Sequence, residues 1–281
     1  MTFAVALKSY RVHLLVVLAL LVGLYYRVVP DMVIDWYKDD NYSHGFLVPV
    51  IAGYFLWQRW GELSKTHVKP NNLGIVIILM GLLQLTVAWL GTEYFTMRSS
   101  LIVLLVGIVL FWFGREVLKL MALPLGYLIF MVPIPYIIYN AVAFPLKLFV
   151  TKVSVKFLQM IGVVVLREGN IIMLPTTTLE VADACSGIRS LMSLLALATA
   201  YAFIVNTTTL KRWLIIFAAI PIAIFTNALR VIGTGILAQY WGAKAAEGFF
   251  HEFAGLAVFA VAMVMLIGLG ALLRDKREDK Q

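Results

Sequence analysis

Residues 213–238 read WLIIFAAIPIAIFTNALRVIGTGILA, an apolar run that carries one formal charge, Arg230. A hydrocarbon core about 30 Å thick needs roughly 20 such residues in a helix, so the stretch predicts a membrane span. A charge inside a span costs about 2.5–3.5 kcal/mol even on the permissive insertion scale, and such residues face protein or a water-filled cavity. Position along the helix sharpens this. At a rise of 1.5 Å per residue, Arg230 stands about 27 Å from the basic Arg212, close to one membrane boundary.

The rest of the chain has the same character. Of 281 residues, 62% are hydrophobic and 14% charged, against roughly 45–50% and about 25% in soluble domains. That places the chain among integral membrane proteins. The net charge of +8 then reads as positive charge retained on the cytoplasmic side rather than as a nucleic-acid surface. A single cysteine excludes an intramolecular disulfide and any CxxC metal or redox motif. The N-terminus, MTFAVALKSYRVHLLVVLALLVGLYYRVV, lacks a small-x-small cleavage site and reads as a first span rather than a signal peptide.

The expected fold is an all-α polytopic membrane protein, one domain over 1–281, with about eight transmembrane helices. The spans fall at about 12–29, 44–60, 73–91, 98–113, 118–138, 184–205, 213–238 and 252–273. Basic residues favour both termini in the cytoplasm, most strongly in the loops LKRW (210–213) and GREVLK (114–119) and in the tail RDKREDKQ (274–281). The main interruption, 139–183, is expected to be an outer insertion. Lys147, Lys152 and Lys156 recur among apolar residues at near-helical spacing, as in an interfacial amphipathic helix. Two β-branched runs around REGN (167–170) then predict a β-hairpin.

Three chemistry-bearing residues fall at one depth on consecutive helices. Cys185 begins the sixth span, Arg230 lies near the outer end of the seventh, and His251 begins the eighth. Reversing the topology leaves them in one stratum, because successive helices alternate direction. Each has a plain alternative: a lone cysteine is commonly a small buried hydrophobe, and a helix-start histidine is commonly interfacial. Together they form a candidate site. A thiol becomes nucleophilic as the thiolate, which a helix N-terminus and a nearby cation favour. Arg189 stands at i+4 from Cys185, on the same helix face. His251 is suited to take the thiol proton and return it to a leaving amine. Arg230 is suited to an oxyanion or a substrate carboxylate. Asn227, at i−3, could orient Arg230, and Gly187 leaves the backbone open to close approach. His251-Glu252 begins like HExxH, but Phe253, Ala254 and Gly255 follow, so the zinc motif is absent. No metal or other cofactor is expected. His44, in NYSHGFLVP, falls on the outer side as a supporting or substrate-binding residue, an alternative base, or simply an interfacial histidine.

Five stretches carry a family resemblance: YSHGFLVP (42–49), LIFMVPIPY (128–136), ADACSGIRS (182–190), TNALR (226–230) and HEFAG (251–255). In this order, with CSG, NALR and the late histidine at the outer ends of hydrophobic helices, the chain resembles the exosortases. These relatives of the archaeosortases are multi-spanning membrane cysteine proteases or transpeptidases. The resemblance implies Cys185 as nucleophile within Cys185-Ser186-Gly187, His251 as proton-transfer partner and Arg230 as third catalytic member, with Arg189 and Asn227 in support. It implies substrates bearing a C-terminal sorting signal: a Pro-Glu-Pro-type motif, a transmembrane helix and a basic tail. The product would pass to an unknown amine acceptor or to water. The implied setting is the bacterial inner membrane of exopolysaccharide producers, with the site on the extracytoplasmic side. Some members carry a further extracytoplasmic domain after the last helix, where this chain reads RDKREDKQ.

Two other classes remain at this stage. A flippase for a lipid-linked sugar would use Arg189 and Arg230 on phosphate and would not need the thiol. A polysaccharide-assembly scaffold would need neither.

Overall fold

A computed structural model describes residues 1–175, 177–181, 188–205, 207–242 and 249–274, with backbone alone at 188, 189 and 249–252. The chain divides into two compact units, Met1–Pro135 and Tyr136–Gln281.

The first unit contains α1 (Phe3–Ser9), α2 (Arg11–Leu24), α3 (Val28–Lys38), a 3-10 segment Asp40–Phe46, α4 (Leu47–Gln58), α5 (Trp60–Lys65), α6 (Leu73–Leu90), α7 (Tyr94–Phe113) and α8 (Arg115–Tyr127), which runs into a 3-10 turn, Leu128–Met131. Its centre is the α6–α7 hairpin. Both helices are apolar enough to span, and their polar ends are capped locally. Asn71 Oδ1 accepts from Leu73 N at 2.9 Å. Glu93, the N-cap of α7, accepts from Phe95 N at 3.2 Å and Thr96 N at 2.7 Å. Small residues let the two backbones meet, as they do generally between helices in lipid. A Cβ at Gly74 would lie 2.4 Å from Phe111 N, and one at Gly107 would lie 2.8 Å from Ile78 N. Neither backbone can give way. Gly74→Ala should therefore cost about 1–3 kcal/mol, read as a lower Tm in a neutral detergent. Gly53→Ala, with nothing within 4 Å, should leave Tm unchanged or higher.

The Glu93 cap predicts an acid response. Partial burial works to raise its pKa, but hydrogen bonds from Thr96 and Phe95 outweigh that and hold it below the usual 4.5. Because the folded value is depressed, the cap's contribution is complete above about pH 4.5 and is lost as pH falls through the folded value. Thermal melts from neutral to acid pH should show a smaller acid decline in Glu93→Gln than in wild type. Identical slopes would remove this role.

The second unit contains α9 (Tyr136–Met160), β1 (Leu166–Glu168), β2 (Ile171–Met173), β3 (Thr178–Glu180), α10 (Ile188–Ile204), α11 (Thr209–Trp241) and α12 (Phe249–Leu273). Leu194, Ala198 and Ala202 of α10, Ile215, Ala219 and Ala223 of α11, and Ala262 and Leu266 of α12 form one core. Alanines one turn apart let these helices approach closely. Leu158 of α9, Ile172 and Val181 of the strand region, and Val231 and Ala238 of α11 form a second core. At 33 residues, α11 is about 50 Å long. A core about 30 Å thick cannot cover it, and α9 and the strands pack against its C-terminal third.

The chain is mostly helical with a small antiparallel sheet, as the sequence predicts, but the details differ. Among the described residues, four helices are individually long and apolar enough to cross a membrane: α6, α7, α11 and α12 from Phe253. Counting α1 with α2, and Arg115–Met131 with Tyr136–Met160, as broken spans gives up to six. Where eight spans are predicted, 44–60 holds a 3-10 turn and the 12-residue α4. In 118–138, α8 gives way after Tyr127 to the 3-10 turn Leu128–Met131, which ends at the extended Val132 because the residue before a proline is driven out of the helical region. The predicted 139–183 insertion is a 25-residue helix and a three-stranded meander in the order β1-β2-β3. Lys152 and Lys156 lie on the exposed face of α9. Gly169, at φ +59, opens the two-residue turn between β1 and β2. Pro175 cannot donate to a ladder. The second β-branched run breaks there, and Thr178–Glu180 folds back on β2 with Leu179 opposite Ile172.

Candidate functional site

The NALR motif lies on α11 just where α9 and the strands begin to cover it. Thr226 is buried, its hydroxyl donating to Ile222 O at 2.9 Å. Asn227 is buried and Arg230 half-buried. Arg230, Val231 and Thr234 line a small cleft with Ile172, Leu179, Glu180 and Val181. The guanidinium thus shares a cleft with the Glu180 carboxylate, which accepts from Asn170 Nδ2 at 3.4 Å. Val181 is tied to the β1–β2 turn through its N–H, which donates to Asn170 O at 2.9 Å. Val181 is also the last described residue before the segment that holds the cysteine.

On its other side, Arg230 meets α12. A Cβ at Gly255 would lie 3.5 Å from Arg230 Nη2 and 3.7 Å from Cζ. Glycine here lets α12 pass directly beside the guanidinium. His251 is one turn earlier along α12.

The sequence-predicted residues therefore fall into three groups. Asn227 and Arg230 are in place on α11. Arg189 and His251 lie in the first turns of α10 and α12, the two helices packed on α11, with their backbones alone described. Cys185, Ser186 and Gly187 lie outside the described residues. The sequence reading assigned no role to Gly255, although it stands in the quoted HEFAG, nor to Glu180 and Thr234. Only the folded contact identifies them. Among the described residues, no group of three His, Cys, Asp or Glu side chains is placed to hold a metal.

His44 belongs to the first unit. Gly45 packs on Trp36, where a Cβ would lie 2.5 Å from the indole nitrogen. That nitrogen donates to Met131 O at 2.8 Å, and the Tyr42 hydroxyl donates to Ile134 O at 3.2 Å. YSHGFLVP and MVPI thus fold onto one another, and the first motif has a packing role whatever else His44 does.

These features define a multi-pass membrane protein with a charged cleft where α11 meets a small sheet. The family model described as transmembrane exosortase (Exosortase_EpsH) matches residues 36–268, a stretch that includes every candidate site residue from His44 to His251, and the chain belongs to that family. Family membership implies a transpeptidase that processes sorting signals. No curated protein and no solved structure matches the chain.

Proposed function

We propose that this chain is a membrane-embedded cysteine transpeptidase that cleaves C-terminal, Pro-Glu-Pro-type sorting signals of exported proteins. Cys185 is the nucleophile, His251 the proton carrier and Arg230 the electrostatic partner. The thiolate of Cys185 adds to the scissile carbonyl, and Arg230 stabilises the charge that develops on oxygen. The carbon–nitrogen bond then breaks, His251 gives a proton to the departing amine, and a thioester remains. An amine acceptor or water takes the acyl group and frees the thiol. Arg189 and the N-terminus of α10 favour the thiolate, Asn227 orients Arg230, and Ser186 and Gly187 border the nucleophile. His44 is assigned to substrate binding.

One observation carries this reading: Arg230 sits between two structural leads to its proposed partners. Val181, in the same cleft, precedes Cys185 by four residues, and four residues of chain reach at most about 14 Å. A Cβ at Gly255, one turn after His251, would lie 3.5 Å from Arg230 Nη2. The orientation inferred from the basic loops puts both termini in the cytoplasm and this site on the extracytoplasmic face of the inner membrane.

The experiment is to express a tagged protein bearing such a signal with and without the chain and measure its shortening. Shortening that depends on the chain supports the reading. A full-length product in both cultures overturns it. The Gly255 contact adds a sharper expectation. Gly255→Ala places its methyl at ordinary contact distance and should process normally. Gly255→Leu should displace the guanidinium and lower processing about 10²-fold with little change in Tm. Equal processing by both variants would show that the Arg230 position is not critical.

A further inference from the structure

We propose that the first unit holds a second site, which binds a phosphate ester carrying a cationic amine, the chemistry of a zwitterionic phospholipid headgroup. A cavity of about 360 Å³ lies where α6 ends, α7 begins and the chain enters α3. That is within the range of about 300–1,000 Å³ usual for ligand clefts. Both α6 and α7 are candidate spans, so the turn that joins them puts the cavity at a membrane boundary, where headgroups lie.

The lining supplies charges of both signs and aromatic faces: Arg27, Asp31, Trp89, Thr92, Tyr94 and Arg98. Arg98 is only 6% exposed. Its Nη2 pairs with Asp35, and the buried Nε has no hydrogen-bond partner. A buried guanidinium with an unused donor, lining a cavity, is suited to an anionic oxygen. Arg27 and Asp31 are exposed and one turn apart, yet no ion pair joins them among the described residues. Arg27 instead lies over the Tyr26 ring at 5.3 Å. The pocket lining thus includes two arginines, with the Asp31 carboxylate one turn from Arg27. The Arg98 guanidinium lies over the Tyr94 ring at 5.5 Å, whereas Trp89 is 64% exposed and its face can hold an ammonium. A purely anionic ligand would leave Asp31 opposed to it. A zwitterion uses all of these groups.

The test uses the full-length chain in a neutral maltoside detergent, with bound lipid read by native mass spectrometry. The ligands are short-chain phosphatidylethanolamine, phosphatidylglycerol of the same acyl length, and soluble phosphorylethanolamine. Wild type should retain phosphatidylethanolamine about tenfold more tightly than phosphatidylglycerol. Asp31→Asn should erase that preference, and Arg27→Gln should weaken both lipids by about tenfold. Both side chains are exposed, so an unchanged Tm separates lost binding from lost folding. Arg98 is avoided as the test because breaking its pair with Asp35 endangers the hairpin itself. Soluble phosphorylethanolamine that displaces lipid at equal concentration would support the chemistry with a free solute as its source. Failure to displace assigns the site to bilayer lipid. Equal retention of the two lipids by wild type, or an unaltered preference in Asp31→Asn, overturns the proposal.

Discussion

Cys185→Ser leaves a tagged sorting-signal substrate at full length in cells where the wild-type chain shortens it. The expected loss is on the order of 10³-fold or more, the scale seen when a covalent nucleophile is removed. Serine keeps the shape, but at neutral pH it lacks the accessible anion that a thiol provides beside a cation and a helix N-terminus. Expression level and Tm should match the wild type. Normal shortening by Cys185→Ser would return the residue to packing. If Arg230 variants were then inactive, a flippase for a lipid-linked sugar would become the better reading. The same single thiol reports sidedness. A membrane-impermeant maleimide should label intact spheroplasts of the wild type and none of the Cys185→Ser strain. Labelling only after permeabilisation would mean the inverted topology.

Arg230→Lys should lose processing about 10²–10³-fold although the positive charge is kept. Arginine presents a planar fork of donors, and lysine a compact, strongly hydrated point charge on a flexible stem. The environment of Arg230 is consistent with a need for the fork. A Cβ at Gly255 would lie 3.5 Å from Arg230 Nη2, so α12 passes close to the planar group, and Glu180 lines the same cleft. An ammonium in that slot would have its head in a different place and fewer donors. The expected kinetic signature is a fall in kcat with substrate retained in the membrane fraction. Full activity of Arg230→Lys would reduce Arg230 to a point charge. Equal losses in Arg230→Lys and Arg230→Gln would identify the fork itself as what matters.

Much of the architecture was legible in the sequence because apolar length and isolated charge are local signals. The run containing Arg230 reads as one helix, and the structure extends it by one turn at each end. The REGN turn predicts a hairpin, and one forms. The third strand was not legible, since it depends on Pro175 ending β2 and on Leu179 finding Ile172 across the sheet. The helix bounds within 44–60 and 118–138 depart from the expected ones for a related reason. Hydropathy alone does not register that Gly45 packs on Trp36, or that Pro133 follows the end of the 3-10 turn after α8.

Residue order alone set the expectation that a thiol, a guanidinium and an imidazole share one depth along three consecutive apolar runs, since helical rise and alternating direction predict depth without any knowledge of packing. Tertiary structure decided what stands around Arg230. Gly255 is a neighbour because α12 packs on α11 through small residues, and Glu180 because a three-stranded sheet covers the end of a helix longer than the membrane is thick. Such contacts join residues distant in sequence, and no local pattern encodes them.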